Sequence, residues 1–396
     1  MSHELISRSA DLKALYDDGF EISVVDGHLV VSNVPYLSGA REPKRGVVMT
    51  PLTFGGEATS KPGTHVVHFR GEYPCNLDGS PIAALRHASG DFELSPNLRA
   101  QHTFSNKPPP PATGFDNYEA LVRSYVNIIS GPANAVDPTA TAQTYRVVES
   151  TEDESVFRYL DTASSRAGIV TAQQALASQN VAIVGLGGTG AYVLDQLAKT
   201  PVRTIHLYDG DDLISHNAFR APGAAAVSDL TARPKKVTYF GNLYGRMRRN
   251  IVEHPVNVDP SNIDELKELD FVFLCVDNGA ARKLIVEALL EAKVAFVDGG
   301  MGVHQVGHQL MGIVRVTTHT PVRPPGFDIR KLMDLSDATK ADAYDTNIQI
   351  ADLNALNAIM MVLRWKKWSG FYVDDEREHH STYTTAMHLL TSDGCP

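Results

Sequence analysis

Cysteine is nearly absent from this sequence: Cys75, Cys275 and Cys395 are the three in 396 residues. They are too few and too scattered for a disulfide framework or a paired-cysteine zinc site, which suits a reducing compartment. No apolar run approaches the roughly 20 residues that a membrane span needs. Met1 to Ser9 lacks the basic start and apolar core of a secretion signal. A soluble, cytoplasmic protein is therefore expected. Basic excess is lacking too. The formal net charge is −10, which argues against a general nucleic-acid or anionic-membrane binder, since either needs a basic face. A local basic cleft stays open, and no repeat or low-complexity tract is present.

What is there is an ordinary globular composition, 43% apolar and 21% charged, in a length that suits two or three domains. Two breaks divide the chain. Lys107 leads into Pro108, Pro109, Pro110 and Pro111, an extended connector that cannot be helix. Glu149 to Glu154 (ESTEDE) is a polar stretch, after which the pattern changes.

Before that change, short β-rich runs alternate with turn signals: Glu21 to Val25, His28 to Val34, Gly46 to Met49 and His65 to Phe69. Asp26-Gly27 predicts a hairpin turn between the first two. Tyr118 to Ile129 has helical periodicity. Residues 1–150 are expected to form a small accessory α+β domain, and residues 151–396 a second domain.

In the second part, strands and helices alternate. Asn180 to Val184, Thr204 to Tyr208, the surroundings of Val256, Phe271 to Val276 and Val294 to Val297 read as strands. Gly190 to Lys199, Lys235 to Arg249, Asn278 to Glu291 and Ile348 to Trp365 read as helices. Continuous apolar strands between amphipathic helices imply a sheet covered on both faces. The expected class is α/β, a Rossmann-like, doubly wound, mostly parallel sheet.

Strand Asn180 to Val184 runs straight into Gly185-Leu186-Gly187-Gly188-Thr189-Gly190 and then a helix. Glycines there allow a tight turn and let backbone amides approach phosphate at a helix N-terminus. Gly185, Gly187 and Gly190 also satisfy the dinucleotide spacing GxGxxG, so an NAD-dependent oxidoreductase competes. Asp209 ends the next strand, where a carboxylate bonds ribose hydroxyls in either reading.

The residues that follow separate the two. Asp209 to Arg220 (DGDDLISHNAFR) places Asp211, Asn217 and Arg220 just beyond the ribose position, and Arg233 to Val237 (RPKKV) offers Lys235 at a helix start. A triphosphate needs such cationic donors; hydride transfer does not. Cys275 to Arg282 (CVDNGAAR) then puts Asp277 and Asn278 at the carboxyl end of a strand. Asp277 can hold Mg²⁺ together with nucleotide phosphates, cap the helix after it, or do both.

This ordered series resembles the ThiF/MoeB-like family of ubiquitin-activating enzymes: a glycine loop, an aspartate ending the next strand, Asn-x-x-Arg, Pro-Lys, then Cys-x-Asp-Asn with a later arginine. The resemblance covers roughly residues 157–370. It implies ATP bound with Asp209 on ribose, and with Asn217, Arg220 and Lys235 on the phosphates. Asp277 would position Mg²⁺ where the C-terminal carboxylate of a ubiquitin-like protein attacks the α-phosphate. It further implies a homodimer in which an upstream arginine reaches the partner's site, here Arg166, with Arg158 behind it. The added N-terminal domain implies recruitment of the modifier or of a conjugating-enzyme-like partner, in a bacterial conjugation or defence setting. Ile348 to Trp365 matches the family's helix after the crossover loop, its apolar face packing in the core.

The sequence departs from many relatives in one respect. Pro321 to Thr346, where they carry a catalytic cysteine, contains none, and their paired CxxC zinc ligands are missing. The acyl group is expected to pass directly to a partner's nucleophile, to a hydroxyl such as Ser336, Thr339 or Thr346, or to Cys75 or Cys395. Cys75 lies near His65 and His68 in sequence, while Cys275 sits in an apolar strand and reads as inert. His379 and His380 point different ways on regular structure, so no zinc is assigned. A non-catalytic regulatory subunit is the third functional class, and retention of Arg220, Lys235 and Asp277 argues against it.

Overall fold

A computed structural model describes residues 5–6, 8–56, 58–108, 110–146, 155–159, 161, 169–321, 328–333, 335 and 348–393. The chain folds as two compact units. One comprises Met1–Ser150 and Tyr159–Ala167, and the other Thr151–Arg158 and Gly168–Pro396.

In the first unit, helix α1 (Ala10–Asp17) precedes strands β1 (Glu21–Val25), β2 (His28–Leu37) and β3 (Pro43–Pro51). Two-residue strands β4 (Phe54–Gly55) and β5 (Ala58–Thr59) pair with each other, and β6 (Val66–Arg70), β7 (Arg86–Ser95) and β8 (Leu98–Ser105) follow. The main sheet has six antiparallel strands in the order β1-β2-β3-β6-β8-β7. Helix α2 (Tyr118–Val136) packs Leu121, Tyr125 and Ile129 against Val31, Val67 and Phe104 of the sheet. Its start is fixed twice. Asn117 caps the Ala120 amide at 2.8 Å, and Asp11 accepts from the Tyr118 amide at 2.9 Å. The proline run beginning at Pro108 joins β8 to α2, so this composition break lies inside one unit and is no domain boundary.

The second unit opens with α3 (Val170–Ala177) and β9 (Asn180–Val184), then α4 (Gly188–Leu197) and β10 (Thr204–Tyr208). Short helices α5 (Ser215–Ala218) and α6 (Val227–Ala232) lead to α7 (Lys236–Gly245), β11 (Ile251–His254) and β12 (Phe271–Leu274). Next come α8 (Gly279–Ala292), β13 (Ala295–Val306), β14 (Gln309–His319), α9 (Ala351–Trp368), β15 (His380–Thr384) and β16 (Leu389–Asp393). The eight-stranded sheet runs β11-β10-β9-β12-β13-β14-β15-β16. It is parallel from β11 to β13 and antiparallel beyond.

The continuous apolar strands have a simple cause. Val181 and Ile183 of β9 face a core built with α4, α7 and α9, while Ala182 and Val184 face another built with α8. Trp365 of α9 is fully buried, stands over Phe273, and donates its indole N–H to Gln179 at 2.7 Å. Truncating such a side chain costs roughly 3–5 kcal/mol. The expected class, a doubly wound and mostly parallel sheet preceded by a smaller α+β unit, is the observed one.

Three expected elements change. The strand expected at Val294 to Val297 runs on to Val306 through Asp298, Gly299, Gly300 and Gly302. The glycines look like a turn in sequence, but β14 pairs with them (Gly299 with Val316, Gly300 with Arg315), and neighbours crowd the backbone. A Cβ on Gly299 would stand 2.5 Å from the Met361 sulfur, and one on Gly300 would stand 2.5 Å from the Arg315 guanidinium. The strand near Val256 ends at His254, and Lys235 itself is the residue before α7 rather than its first.

Candidate active site

The chain order reverses between β10-β9 and β12-β13, and the strands' carboxyl ends open there into a crevice, the usual ligand position in a doubly wound sheet. A cavity of about 820 Å³ occupies that place. Its lining draws one residue or a few from each successive strand end: Asp209 after β10, Gly187 and Gly188 after β9, Asp277 and Asn278 after β12, Gly299 and Gly300 on β13, and Arg315 on β14.

The glycine loop is shaped by close approach. Gly185 has φ +91°, and a Cβ there would stand 2.6 Å from the Cys275 carbonyl oxygen. A Cβ on Gly190 would come within 1.8 Å of the Gly185 carbonyl oxygen, and one on Gly188 within 2.4 Å of the Asn354 amide. Gly187 differs: a Cβ on it would meet nothing within 4 Å. This open position lies directly before the α4 N-terminus, where first-turn amides can receive an anion. Asp209, 6% exposed, holds the loop by accepting from the Leu186 amide at 2.6 Å, and its other oxygen accepts from the Asp211 amide at 2.9 Å.

Arg220 and Lys236 bring positive charge to the same cavity. Arg220 lines the cavity, and its Nε is buried without a hydrogen-bond partner among the described residues. Lys236, 5% exposed, donates to Asp211 at 2.7 Å and stands 3.5 Å from Asp209. Asp277 is exposed at the rim and makes no hydrogen bond or ion pair with any described residue. The helix-capping role falls to Asn278, whose side chain accepts from the Ala281 amide at 3.0 Å.

Beneath the rim, Asp298 is fully buried between two guanidiniums, 3.0 Å from Arg282 Nε and 2.7 Å from Arg315 Nη2. Arg282 also donates to the Val276 carbonyl oxygen, tying the loop that carries Asp277 to the floor. A charge-assisted network of this kind fixes geometry.

The expected site residues do not all meet here. Gly185, Gly187, Gly188, Asp209, Asp211, Arg220, Asp277 and Asn278 line the cavity, and Gly190 packs under Gly185. Lys235 does not line it. Its ammonium is turned to the Gly210 carbonyl oxygen and the Asp212 carboxylate, each at 2.8 Å, and the neighbouring Lys236 takes the place inside. Asn217 is buried with its side-chain oxygen accepting from the Ile214 amide at 3.0 Å, so it shapes the turn that carries Arg220 and is not part of the lining. Arg166, Ser336, Thr339, Thr346 and Cys395 lie outside the described residues, and Arg158 donates its side chain to the Gly245 carbonyl oxygen at 2.5 Å.

Cys75 is buried, and its thiol donates to the Tyr73 carbonyl oxygen at 3.3 Å. Burial, with Asp78 and Glu72 nearby, pushes the thiol above its usual range. Burial pushes the Cys275 thiol higher still. Sequence reading passed over Asn354 and Asn357 of α9, buried residues that line the cavity. Two amides on an otherwise apolar helix face were the available signal.

Residues 162–379, more than half of the chain, match the ThiF family, and residues 10–162 match a domain of unknown function (DUF6791). The chain belongs to the ThiF family. Within it, ubiquitin-like modifier-activating enzyme 5 of Culex quinquefasciatus is 31% identical over 158 residues, 37% of this chain and 40% of the relative. Molybdopterin-synthase adenylyltransferase of Escherichia coli (strain K12) is 32% identical over 150 residues, 37% of this chain and 59% of that protein. The match thus spans 40% of the length of the first ThiF relative and 59% of the second. A solved structure of E. coli MccB with ATP aligns at TM-score 0.46 and 18% identity, covering 57% of this chain and 66% of that one. No described helix is long and apolar enough to cross a membrane.

Proposed function

We propose that the ThiF unit binds ATP with Mg²⁺ in this cavity and adenylates the C-terminal carboxylate of a ubiquitin-like protein. The observation that carries the reading is convergence: the glycine loop, Asp209, Arg220, Lys236 and Asp277 come from separate elements and line one crevice. The names of the two curated relatives, an adenylyltransferase and a modifier-activating enzyme, support it.

In this reading Asp209 takes the ribose hydroxyls. The amides around Gly187 and Gly188, with the α4 N-terminus, take phosphate, and Arg220 and Lys236 neutralise the β and γ groups. Among the described residues no cluster of three metal-ligating side chains exists. In this reading Mg²⁺ would be held by Asp277 and by phosphate oxygens, as it usually is. Bound there, Mg²⁺ would offset the charge that builds up on the phosphates. The substrate carboxylate oxygen attacks the α-phosphorus, the bond between the α-phosphorus and its bridging oxygen breaks, and pyrophosphate leaves with that bond's electrons. An acyl-adenylate remains. The protein contributes positioning and charge neutralisation rather than a nucleophile.

We further propose that the acyl group passes to a partner's nucleophile. Cys75 is buried and Cys275 half-buried, and desolvation raises both thiols above their usual range, which disfavours both as acceptors. The first unit, in this reading, recruits the modifier or a conjugating-enzyme-like partner, and the working state is a cytoplasmic homodimer with Arg166 reaching the other protomer's site. An NAD-dependent oxidoreductase leaves Arg220 and Lys236 without a task, and a regulatory subunit leaves the whole constellation without one. Exchange of labelled pyrophosphate into ATP tests the reading. It should depend on an added protein with a free C-terminus of this class, and it should fail for D277A.

A further inference from the structure

Asn357 is 1% exposed, lines the cavity, and its Oδ1 is buried with no hydrogen-bond partner among the described residues. Burying an unsatisfied carbonyl oxygen is costly, and the neighbours do not explain it. One turn earlier on α9, Asn354 is fully employed. Its side-chain oxygen accepts from the Thr189 hydroxyl at 2.9 Å, and its amide nitrogen donates to the Ile350 carbonyl oxygen at 3.0 Å. Asn354 fastens the helix to the glycine loop; Asn357 holds its oxygen beside Gly299, where a Cβ on Gly299 would be 3.2 Å from that atom.

The chemistry of the missing partner follows from position. Along the strand ends, the ribose carboxylate Asp209 follows β10, the glycine loop follows β9 and Asp277 follows β12. Gly299 lies one strand farther, on the side away from the ribose position. An oxygen acceptor cannot be satisfied by ionised phosphates, which are acceptors themselves. It requires an N–H or O–H. On the wall beside it Gly302 leaves open space, a Cβ there meeting only the His304 imidazole at 3.7 Å, so backbone can lie against backbone at that position.

We infer that Asn357 accepts a hydrogen bond from the last peptide N–H of the acyl substrate, and so positions the terminal carboxylate for attack. Asn357 is thus a positioning residue for the acyl chain and not for the nucleotide. The inference rests on the adenylation reading above.

The test uses the full-length protein and calorimetry with ATP and three synthetic probes. The probes are sulfamoyladenosine, its glycylglycyl conjugate, which mimics a peptidyl adenylate, and the depsipeptide analogue of that conjugate, in which an ester oxygen replaces the peptide N–H. Wild type should bind the glycylglycyl conjugate about tenfold more tightly than the ester analogue, the factor one buried hydrogen bond supplies. N357L should lose that tenfold preference while its ATP affinity stays unchanged, which also shows that the variant is folded. Equal binding of the amide and ester probes to wild type overturns the inference and leaves adenylation standing, provided both exceed sulfamoyladenosine. So does a loss of ATP affinity in N357L equal to its loss of the conjugate. If neither conjugate exceeds sulfamoyladenosine in wild type, the adenylation reading fails, and this inference fails with it.

Discussion

The Lys236 ammonium is held 2.7 Å from the Asp211 carboxylate, inside the cavity. Its neighbour Lys235 is turned outward to Asp212. Two adjacent lysines therefore have separate roles. K236A should lower ATP–pyrophosphate exchange by roughly 10²–10³-fold, the usual effect of removing a cation aimed at developing charge. K235A should change it by less than about threefold, as expected for an exposed ion pair. Steady-state exchange rates on the two variants decide this; equal losses would refute the assignment.

How much of this was legible in the sequence depended on range. The parallel strands were, because a strand buried on both faces must be apolar at every position, and Val181 to Val184 is. The choice between Lys235 and Lys236 was not. It is set by the bridge pairing Asp212 with Lys235 just before α7, a contact between segments more than 20 residues apart. The glycine-bearing extension of β13 was hidden for the same reason, since Met361 and Arg315, which crowd it, come from elsewhere in the chain. Asn217 shows the opposite case. The resemblance assigned it to the phosphates, but its side-chain oxygen serves the turn at Ile214.

The glycine loop should respond unequally to alanine. G190A forces a Cβ to 1.8 Å from the Gly185 carbonyl oxygen. Overpacking of this kind costs roughly 1–3 kcal/mol or more, or about 5–10 °C in Tm. G187A places its methyl in open space, so its Tm should match wild type while ATP binding weakens. Differential scanning calorimetry and ATP titration separate the two effects.

Removing the buried carboxylate should loosen the floor. D298A leaves Arg282 and Arg315 without their shared partner, a loss that costs roughly 3–5 kcal/mol when one side of a buried pair is removed. Urea denaturation should show a lower midpoint with an unchanged slope. A midpoint equal to wild type would contradict the bridging role.

Thiol chemistry follows from the direction of the shifts. Burial raises both Cys75 and Cys275 above the ordinary thiol range. Alkylation requires thiolate, and a raised pKa means less thiolate at any given pH. Iodoacetamide should leave both residues unmodified in the native protein at pH 7–8, with labelling emerging only as the pH climbs past about 9, the region where an unperturbed thiol is already ionised. C275A should retain exchange activity. Peptide mapping after alkylation at pH 7.5 and pH 10 checks the order, and rapid native labelling of Cys275 at pH 7.5 would contradict it.

The central claim, carboxylate adenylation in the cavity that joins Asp209, Arg220, Lys236 and Asp277, is tested most directly by exchange of labelled pyrophosphate into ATP. The assay compares wild type with D277A in the presence and absence of ubiquitin-like proteins bearing free C-termini. Exchange that requires the protein substrate, and falls at least about 100-fold in D277A while ATP still binds, is the predicted result. Absence of exchange with every such substrate, accompanied by NAD binding in the same cavity, would contradict it.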